Sequence, residues 1–503
     1  MSWVLLALTL GVNLLFWTTI GALRWATERT HRARPVPPDG HRIRPDQVAV
    51  LIAAHNEELG VAATVTAAHA LVPPGNVFVV SDGSSDQTVH QAQQAGASVY
   101  DLHPNCGKAG ALAAGIEHFA LPRHFEVVML LDADTAPAPD YLATGLPPFD
   151  DPDVVAVAGR AATVWERGDD LSVLGQCLRA YRERLYVTFQ LLFKYGQASR
   201  LTNAVTIVPG FASMYRTRVL DAIDIAAPGL AIEDFNMTFE VHARRLGRIA
   251  FHPRAAIAYT QDPHNLRDYT KQISRWSLGF WQTVRRHGLH DGRFWYLLGA
   301  FIAELLTSSV LFALLGPILL LTTTAELWAY FAGTHGPIGH LAGDVIAVLP
   351  PHDILVGVVV PDYVLTVLVA AIQRRPAYLL LGLGFVPLRC LDAWLCLRSL
   401  WRTRSAQSVG TWTSPQRRTP TGSPVLSAVQ ATSPPPATPP SPPARPRPAP
   451  CIPDGSPPPI PYPRPPGEQP VPALAHASPW EHLSRIPHAK SGSDCPCQSV
   501  AGG

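Results

Sequence analysis

The sequence predicts an α/β domain embedded between transmembrane α-helices. Three observations carry this. Residues 48–260 alternate near-continuous apolar runs with helical patterns, as buried parallel strands joined by helices do. Long, almost uncharged stretches flank that region on both sides. Each candidate strand also runs into polar and acidic residues, at the end where open α/β sheets place their ligands.

Composition narrows the class. Of 503 residues 47% are hydrophobic and 16% charged, below the ~25% charged of average soluble domains. The deficit is concentrated in a few apolar runs, which implies a lipid bilayer as partner. A formal charge of +2, from 40 Lys and Arg against 38 Asp and Glu without a long basic block, argues against nucleic acid. Seven cysteines lack the two-residue spacing of zinc or redox pairs and suit a reducing compartment.

Residues 1–23 carry no charge, and Trp3 to Leu23 is long enough to cross a bilayer core, so a retained spanning helix is expected rather than a cleaved signal peptide. Arg24, Arg29, Arg32, Arg34, Arg42 and Arg44 follow within a basic linker over 24–44. By the positive-inside rule they put that side in the cytoplasm, in the plasma membrane of a multi-pass protein. An α/β domain over 45–290 comes next, then a membrane region over 291–400 with candidate spans at 294–324, 354–372 and 377–397. Arg374 and Arg375 return the chain to the cytoplasm after the second of these. The third is followed by Arg398, Arg402 and Arg404, so it is either re-entrant or interfacial, or an exception to the rule. A Trp- and Arg-bearing segment over 401–419 leads into a tail over 420–503, which holds half of the 50 prolines and is expected to be disordered.

The strand VAVLIAA leads into HNEE, and VFVVSD leads into GSSDQT. Carboxylates at such ends, Glu57 and Asp82, suit a ribose hydroxyl or a uracil N–H; a plain Gly turn with a serine cap is the rival reading. In NCGKAGALAAGI, Lys108 stands at a helix start whose N–H groups attract phosphate, although a solvated lysine beside close-packing small residues fits as well. The strand VVMLLDADT sets Asp132 and Asp134 two residues apart, a pair fit to hold a hard divalent cation, Mg2+ or Mn2+, that bridges a diphosphate. PGFASMYR reads as a Gly-containing turn ending in Arg216. In GLAIEDFNMT, Glu233 and Asp234 offer an acid able to take a hydroxyl proton, or simply dipole-favoured acids at a helix start. In LRDYTKQISRWSLGFWQTVRRHG, Gln272 and Arg275 share a helix face, with Arg275 suited to a diphosphate and Trp276 to a sugar ring. Trp276, Phe280 and Trp281 also suit a helix lying on the membrane surface with Arg285 and Arg286 in water.

Taken in order, AAHNEE, SDGSSD, GKAGAL, DAD, ED and QISRW resemble the processive family 2 glycosyltransferases, which include cellulose, hyaluronan, chitin and poly-N-acetylglucosamine synthases. The likeness covers about residues 48–286. It implies a GT-A-type nucleotide-sugar transferase domain with a mixed sheet, a UDP-sugar donor, a glycan acceptor and possible accessory export or modification proteins. By resemblance Asp82 and Asp132 contact the nucleotide, Asp134 binds the metal and Asp234 is the base. Gln272, Arg275 and Trp276, with Glu233, serve acceptor and diphosphate. Ile232 departs from the pattern, which has Thr before E-D, and GTWTSPQRRT is similar to a Trp-and-Arg segment that favours a cytoplasmic Trp412. The short layout favours N-acetylglucosamine or glucose. A single-transfer enzyme acting on a lipid or polyprenyl phosphate would lack Q-x-x-R-W, and a non-catalytic export scaffold would not keep Asp132, Asp134 and Asp234.

Overall fold

The computed structural model describes residues 5–6, 9–30, 42–163, 165, 171–260, 262–263 and 265–405. The chain divides into Met1–Pro436 and Ala437–Gly503, and all described residues belong to the first unit. Trp412 and the predicted Pro-rich tail lie outside the described residues, as does most of the predicted basic linker.

Seven strands form the main sheet in the order β3-β2-β1-β4-β8-β6-β9: β1 Val48–Ala54, β2 Val77–Asp82, β3 Ser98–Leu102, β4 Val127–Asp132, β6 Val154–Ala158, β8 Ala212–Arg216 and β9 Arg248–Ala250. β5 Ala136–Pro137, β10 Ile257–Thr260 and β7 Arg160–Thr163 make a second, three-stranded sheet. The three apolar runs read as strands are β1, β2 and β4, and they pair in parallel. Every residue of β1 is buried because both faces are covered. Ala49, Leu51 and Ala53 pack on Ala111, Leu112 and Ile116 of one helix. Val48, Val50, Ile52 and Ala54 pack on Val61, Val65 and Ala68 of another. Each large aliphatic buried this way stabilises the fold by roughly 1.5–3 kcal/mol.

The sheet is mixed, as the family resemblance implies. β8, inside the segment read as a turn, runs antiparallel between β4 and β6. Its Arg216 is a structural clamp, donating to the carbonyls of Val154 and Phe149.

The helices that matter below are α1 Val12–Thr30, α2 Val61–His69, α3 Thr88–Gln94, α4 Gly107–His118, α5 Val173–Val187, α6 Asp234–Ala243, α7 Leu266–His287, α8 Arg293–Ala332, α9 Gly336–Gln373 and α10 Tyr378–Arg402. Among the described residues, α8, α9 and α10 are long and apolar enough to cross a membrane. They overlap the three spans expected at 294–324, 354–372 and 377–397, with α8 longer and the second segment starting earlier.

The N-terminal helix runs past residue 23, to Thr30. It breaks at Gly11 (φ 84°), where a Cβ would collide with the Glu304 carboxylate of α8. Glu304 Oε2 accepts both the backbone and side-chain N–H of Asn13, at 2.8 and 2.9 Å. At the other end α1 continues to Thr30 because the α/β domain holds it. Arg24 donates to the Tyr195 carbonyl and pairs with Glu28, while the Tyr195 hydroxyl donates to Glu28 at 2.6 Å.

Helix α10 is tied to the α/β domain along its length. Near its start the Cys177 thiol reaches the Leu381 carbonyl, and Arg375 pairs with Glu183 of α5. In its middle Asp392 accepts from Tyr181 and Tyr269, and just beyond its end Arg285 donates to the Thr403 carbonyl.

Candidate active site

The C-terminal ends of β1, β2 and β4 lie side by side, with Ala53 opposite Asp132 and Ala54 opposite Ser81. Asp82 and Asp132, the last residues of β2 and β4, therefore open onto one edge of the sheet. Asp82 is fully buried, and its Oδ1 accepts the Cys106 N–H at 2.7 Å. Its Oδ2 has no partner among the described residues. Burial holds its carboxyl above the usual range, with the Cys106 and Gly107 amides working against that. His55 Nδ1 lies 2.7 Å from the Asp82 carbonyl, and Asn105 reaches the same ring. Glu57 is buried, and its backbone N–H donates to Thr88 Oγ1 at the start of α3.

The start of α4 differs from the phosphate seat expected around Lys108. The Cys106 and Gly107 amides are taken by the side chains of Asp82 and Asn105. Lys108 turns inward, with its Nζ 2.7 Å from Asp132 Oδ1, 2.8 Å from Glu233 Oε1 and 3.2 Å from the Gly210 carbonyl. The ammonium thus lies within ion-pair distance of two carboxylates and donates to one carbonyl. Burial would strip the proton from this lysine, yet the Asp132 and Glu233 charges win and hold it firmly cationic. Glu233 is in turn held below the usual range by Lys108, against its own burial.

Asp132 behaves oppositely, raised by burial and by the neighbouring Asp134 despite Lys108. Asp134 accepts from Thr135 Oγ1 at 3.4 Å. Among the described residues no three His, Cys, Asp or Glu side chains gather into a metal cluster. Two carboxylates still suffice for a Mg2+-type ion, which takes waters and substrate phosphates as its remaining ligands. The Asp132–Asp134 repulsion is what a cation between them relieves, so the residues present fit such an ion.

Asp234 opens α6, and its Oδ1 accepts the Phe235 N–H at 2.8 Å. Burial, then the Glu233 charge, push its carboxyl up to about 6. It therefore combines the helix-start position of the plainer reading with the poise of a base. Lys194, buried on a π-helical turn over Thr188–Lys194, is pushed down to about 7 by burial, with the Asp234 charge opposing.

Helix α7 closes the site. It begins at Asn265, whose side chain caps the Asp268 N–H at 2.8 Å. It is held to the E-D turn by Gln282, which accepts the Ala231 N–H, and by Gly279, where a Cβ would lie 2.2 Å from Ile232. Ile232 thus replaces a polar neighbour with a packing contact. The charge of Arg275 reaches Glu233, and Gln272 Oε1 has no partner among the described residues. Phe280 and Trp281 are buried against Trp17, Phe294 and Trp295, and Trp276 packs under the guanidinium of Arg182 at 4.4 Å. Arg285 is engaged with Thr403, while Arg286 forms a surface pair with Asp224.

The structure thus brings Lys108, Asp132, Asp134, Glu233, Asp234 and Arg275 into one cluster. Asp82 stands apart beside Cys106 and His55, Glu57 is tied to Thr88, and Gln272 and Trp276 lie one turn apart on α7. Arg182, Tyr186, Asp262 and Lys194 escaped notice, because a lysine or a helix reading AYRERLY looks like a solvated surface in sequence.

Residues 45–279 match the model of the glycosyltransferase-like family 2. The chain is 28% identical over 249 residues to the probable glycosyltransferase YdaM of Bacillus subtilis (strain 168), across 46% of this chain and 55% of that one, so it spans about half the length of this relative. Among solved structures, the mannosyltransferase PcManGT from Pyrobaculum calidifontis, in complex with GDP-Man and Mn2+, is 17% identical with a TM-score of 0.44 over 80% of this chain and 98% of that one. The mannosyl-3-phosphoglycerate synthase from Rubrobacter xylanophilus is 20% identical with a TM-score of 0.32, over 50% and 78%. On the family match and the sheet that carries it, residues 45–279 are a glycosyltransferase family 2 domain with a mixed α/β, GT-A-like fold.

Proposed function

We propose that the protein is an inverting, metal-dependent membrane glycosyltransferase that moves sugar from a UDP-sugar, N-acetylglucosamine or glucose, onto a growing β-linked polysaccharide. The observation that supports it most is the excess of negative charge at the sheet edge. Asp132, Asp134, Glu233 and Asp234 stand against the cations of Lys108 and Arg275. A site built this way is incomplete without a further cation and the diphosphate that accompanies it.

Asp234, with its raised pKa, takes the acceptor hydroxyl proton as that oxygen bonds to the anomeric carbon and the sugar–phosphate bond breaks behind it. Lys108 keeps Glu233 ionised and holds both Glu233 and Asp132 in place, and Arg275 faces the charge leaving on the diphosphate. Asp82 and Glu57 hold the nucleoside, while Gln272 and Trp276 receive the acceptor. Asp134 with Asp132 would hold a divalent ion, which would supply charge neutralisation at the diphosphate.

In the same reading the domain faces the cytoplasm, since Arg24 at the end of α1 and Arg293 at the start of α8 both contact it. α10 returns to the side it left, because both its ends touch α5 or α7. This suits the arginines that follow it. The test is transfer by membranes containing the protein, given Mg2+ or Mn2+ and a panel of radiolabelled UDP-sugars. A large polymer from one donor is expected. Failure with every donor, or full activity in Asp234→Asn, overturns the proposal.

A further inference from the structure

We propose that the turn over 199–202, held between α1 and α8, is a membrane-surface contact that binds anionic phospholipid headgroups through Arg200, with Leu201 set into the interface. This rests on the reading that puts Arg24 and Arg293 at the cytoplasmic face of the bilayer.

The two arginines mark one level. Arg24 is the first charge after the apolar start of the chain, and Arg293 is the last before the apolar run of α8. Asn13 of α1 bonds Glu304 of α8, and Arg24 lies eleven residues after the one as Arg293 lies eleven before the other. On antiparallel helices that rise about 1.5 Å per residue, both arginines sit about 16 Å from that contact. Each then donates to a carbonyl of the same short segment, Arg24 Nη1 to Tyr195 at 2.9 Å and Arg293 Nη1 to Leu201. Residues 195–201 are therefore strapped across the two helices where their apolar runs end.

The tip of this strap is pinned and faces outward. The Thr202 hydroxyl reaches the Gly196 and Gln197 carbonyls, both at 3.0 Å. The Asn203 side chain donates to the Gly247 carbonyl at 3.3 Å and accepts the Ile249 N–H of β9 at 3.2 Å. Residues 195–198 and Thr202 are buried, yet between them Leu201 is 65% exposed and the Arg200 side chain 70%. A turn fixed at both ends cannot fold that leucine inward, and a bilayer surface is the surrounding that takes it. Trp25, next to Arg24, and Tyr296, three residues after Arg293, are exposed at the same level, as interfacial aromatics are.

Charge identifies the lipid. Arg200 Nη2 and Arg248 Nη1 share one oxygen, Asp151 Oδ2, at 2.8 and 2.7 Å. The Arg24 and Arg200 charges both bear on Arg248, with Asp153 opposing. Arg24 pairs with Glu28, Arg29 covers Trp25 at 4.1 Å, and the Arg254 charge reaches His252 beside them. These five arginines and Arg293 stand against Glu28, Asp151, Asp153 and Asp291, an excess of two positive charges. A phosphodiester headgroup fits the guanidinium fork and is drawn by its charge to such a surface. Free phosphate has the same charge but brings no acyl chain to Leu201.

The experiment uses the full-length protein in phosphatidylcholine vesicles carrying spin-labelled phosphatidylglycerol or spin-labelled phosphatidylcholine, and reads the motionally restricted fraction of each. The parent is expected to prefer phosphatidylglycerol, and Arg200→Gln to cut that preference about threefold to fivefold, the worth of one arginine at an anionic surface. Arg123→Gln, which removes an exposed arginine outside the cluster, should leave it unchanged. Arg248 keeps Asp151 occupied in Arg200→Gln, so the thermal midpoint in detergent stays at the parent value. Equal association of the two lipids with the parent, or an unchanged preference in Arg200→Gln, overturns the proposal. So does a midpoint that falls with the preference, which marks a structural role, or displacement of phosphatidylglycerol by inorganic phosphate, which marks a plain anion site. A nitroxide on Leu201→Cys, in an otherwise cysteine-free chain, should meet oxygen more than a water-soluble nickel chelate; the reverse overturns the seating of Leu201. Labelling of the same cysteine by an impermeant maleimide in intact cells overturns the cytoplasmic placement, and the proposal with it. Labelling only in broken cells, with equal lipid association, overturns the lipid surface and leaves the placement standing.

Discussion

Two buried charge networks lie within this chain, and they are built on opposite principles. In the membrane region Asp362 of α9 is met by both terminal nitrogens of Arg184, at 2.8 and 3.1 Å, and by Arg389 of α10 at 2.7 Å. Arg389 spends its other nitrogen on the Thr9 carbonyl, and Asp392 takes one tyrosine hydroxyl on each oxygen. At the sheet edge, by contrast, four carboxylates crowd around Lys108 and Arg275, and burial lifts Asp132 and Asp234. The first network is closed and holds helices together. The second is held open at a cost in stability, and such excess charge is the mark of a place where something else binds.

The largest effect separates the two outright. Asp234→Asn is expected to lower sugar transfer by about 10²–10⁴-fold, the worth of a general base, with UDP binding preserved in calorimetry. Asp362→Ala should do the converse. It leaves the buried Arg184 and the half-buried Arg389 beside a missing anion, which costs about 3–5 kcal/mol; the readout is folded yield and thermal midpoint in detergent, and UDP affinity in whatever fraction folds. If Asp362→Ala kept full stability and lost only transfer, the contrast would be wrong. Next in size is pH. Asp234 must be ionised to take a proton, and its carboxyl is poised at about 6, so the rate should fall roughly tenfold for each pH unit below that value. In Asp234→Asn the residual rate should show no such limb. The smallest effect belongs to an exposed pair that is part of neither network. Arg286→Ala, which frees Asp224, should change stability by less than about 1 kcal/mol and leave transfer unchanged.

How much of this was readable before the fold was known depends on range. β1, β2 and β4 declare themselves because strands buried on both faces are apolar at every position. β3, a half-exposed edge strand reading SVYDL, and β8, a five-residue strand inserted antiparallel, have no such run. The acids of the site are readable because they sit at strand and helix ends in a fixed order. The partner of Lys108 is not, since Glu233 lies far along the sequence and only the sheet brings the two together. Arg182 and Arg184 are indistinguishable in sequence, two positions apart on one helix. Only tertiary contacts make one a closed ion pair and leave the other short of partners.

The kink at Gly11 carries a consequence for biogenesis. The first turn of α1 is completed by Glu304, which lies 291 positions downstream of Asn13. The N-terminal helix is synthesised long before that carboxylate, with its Asn13 amides still seeking an acceptor. Its final seating against Glu304 is therefore a late event that waits for α8.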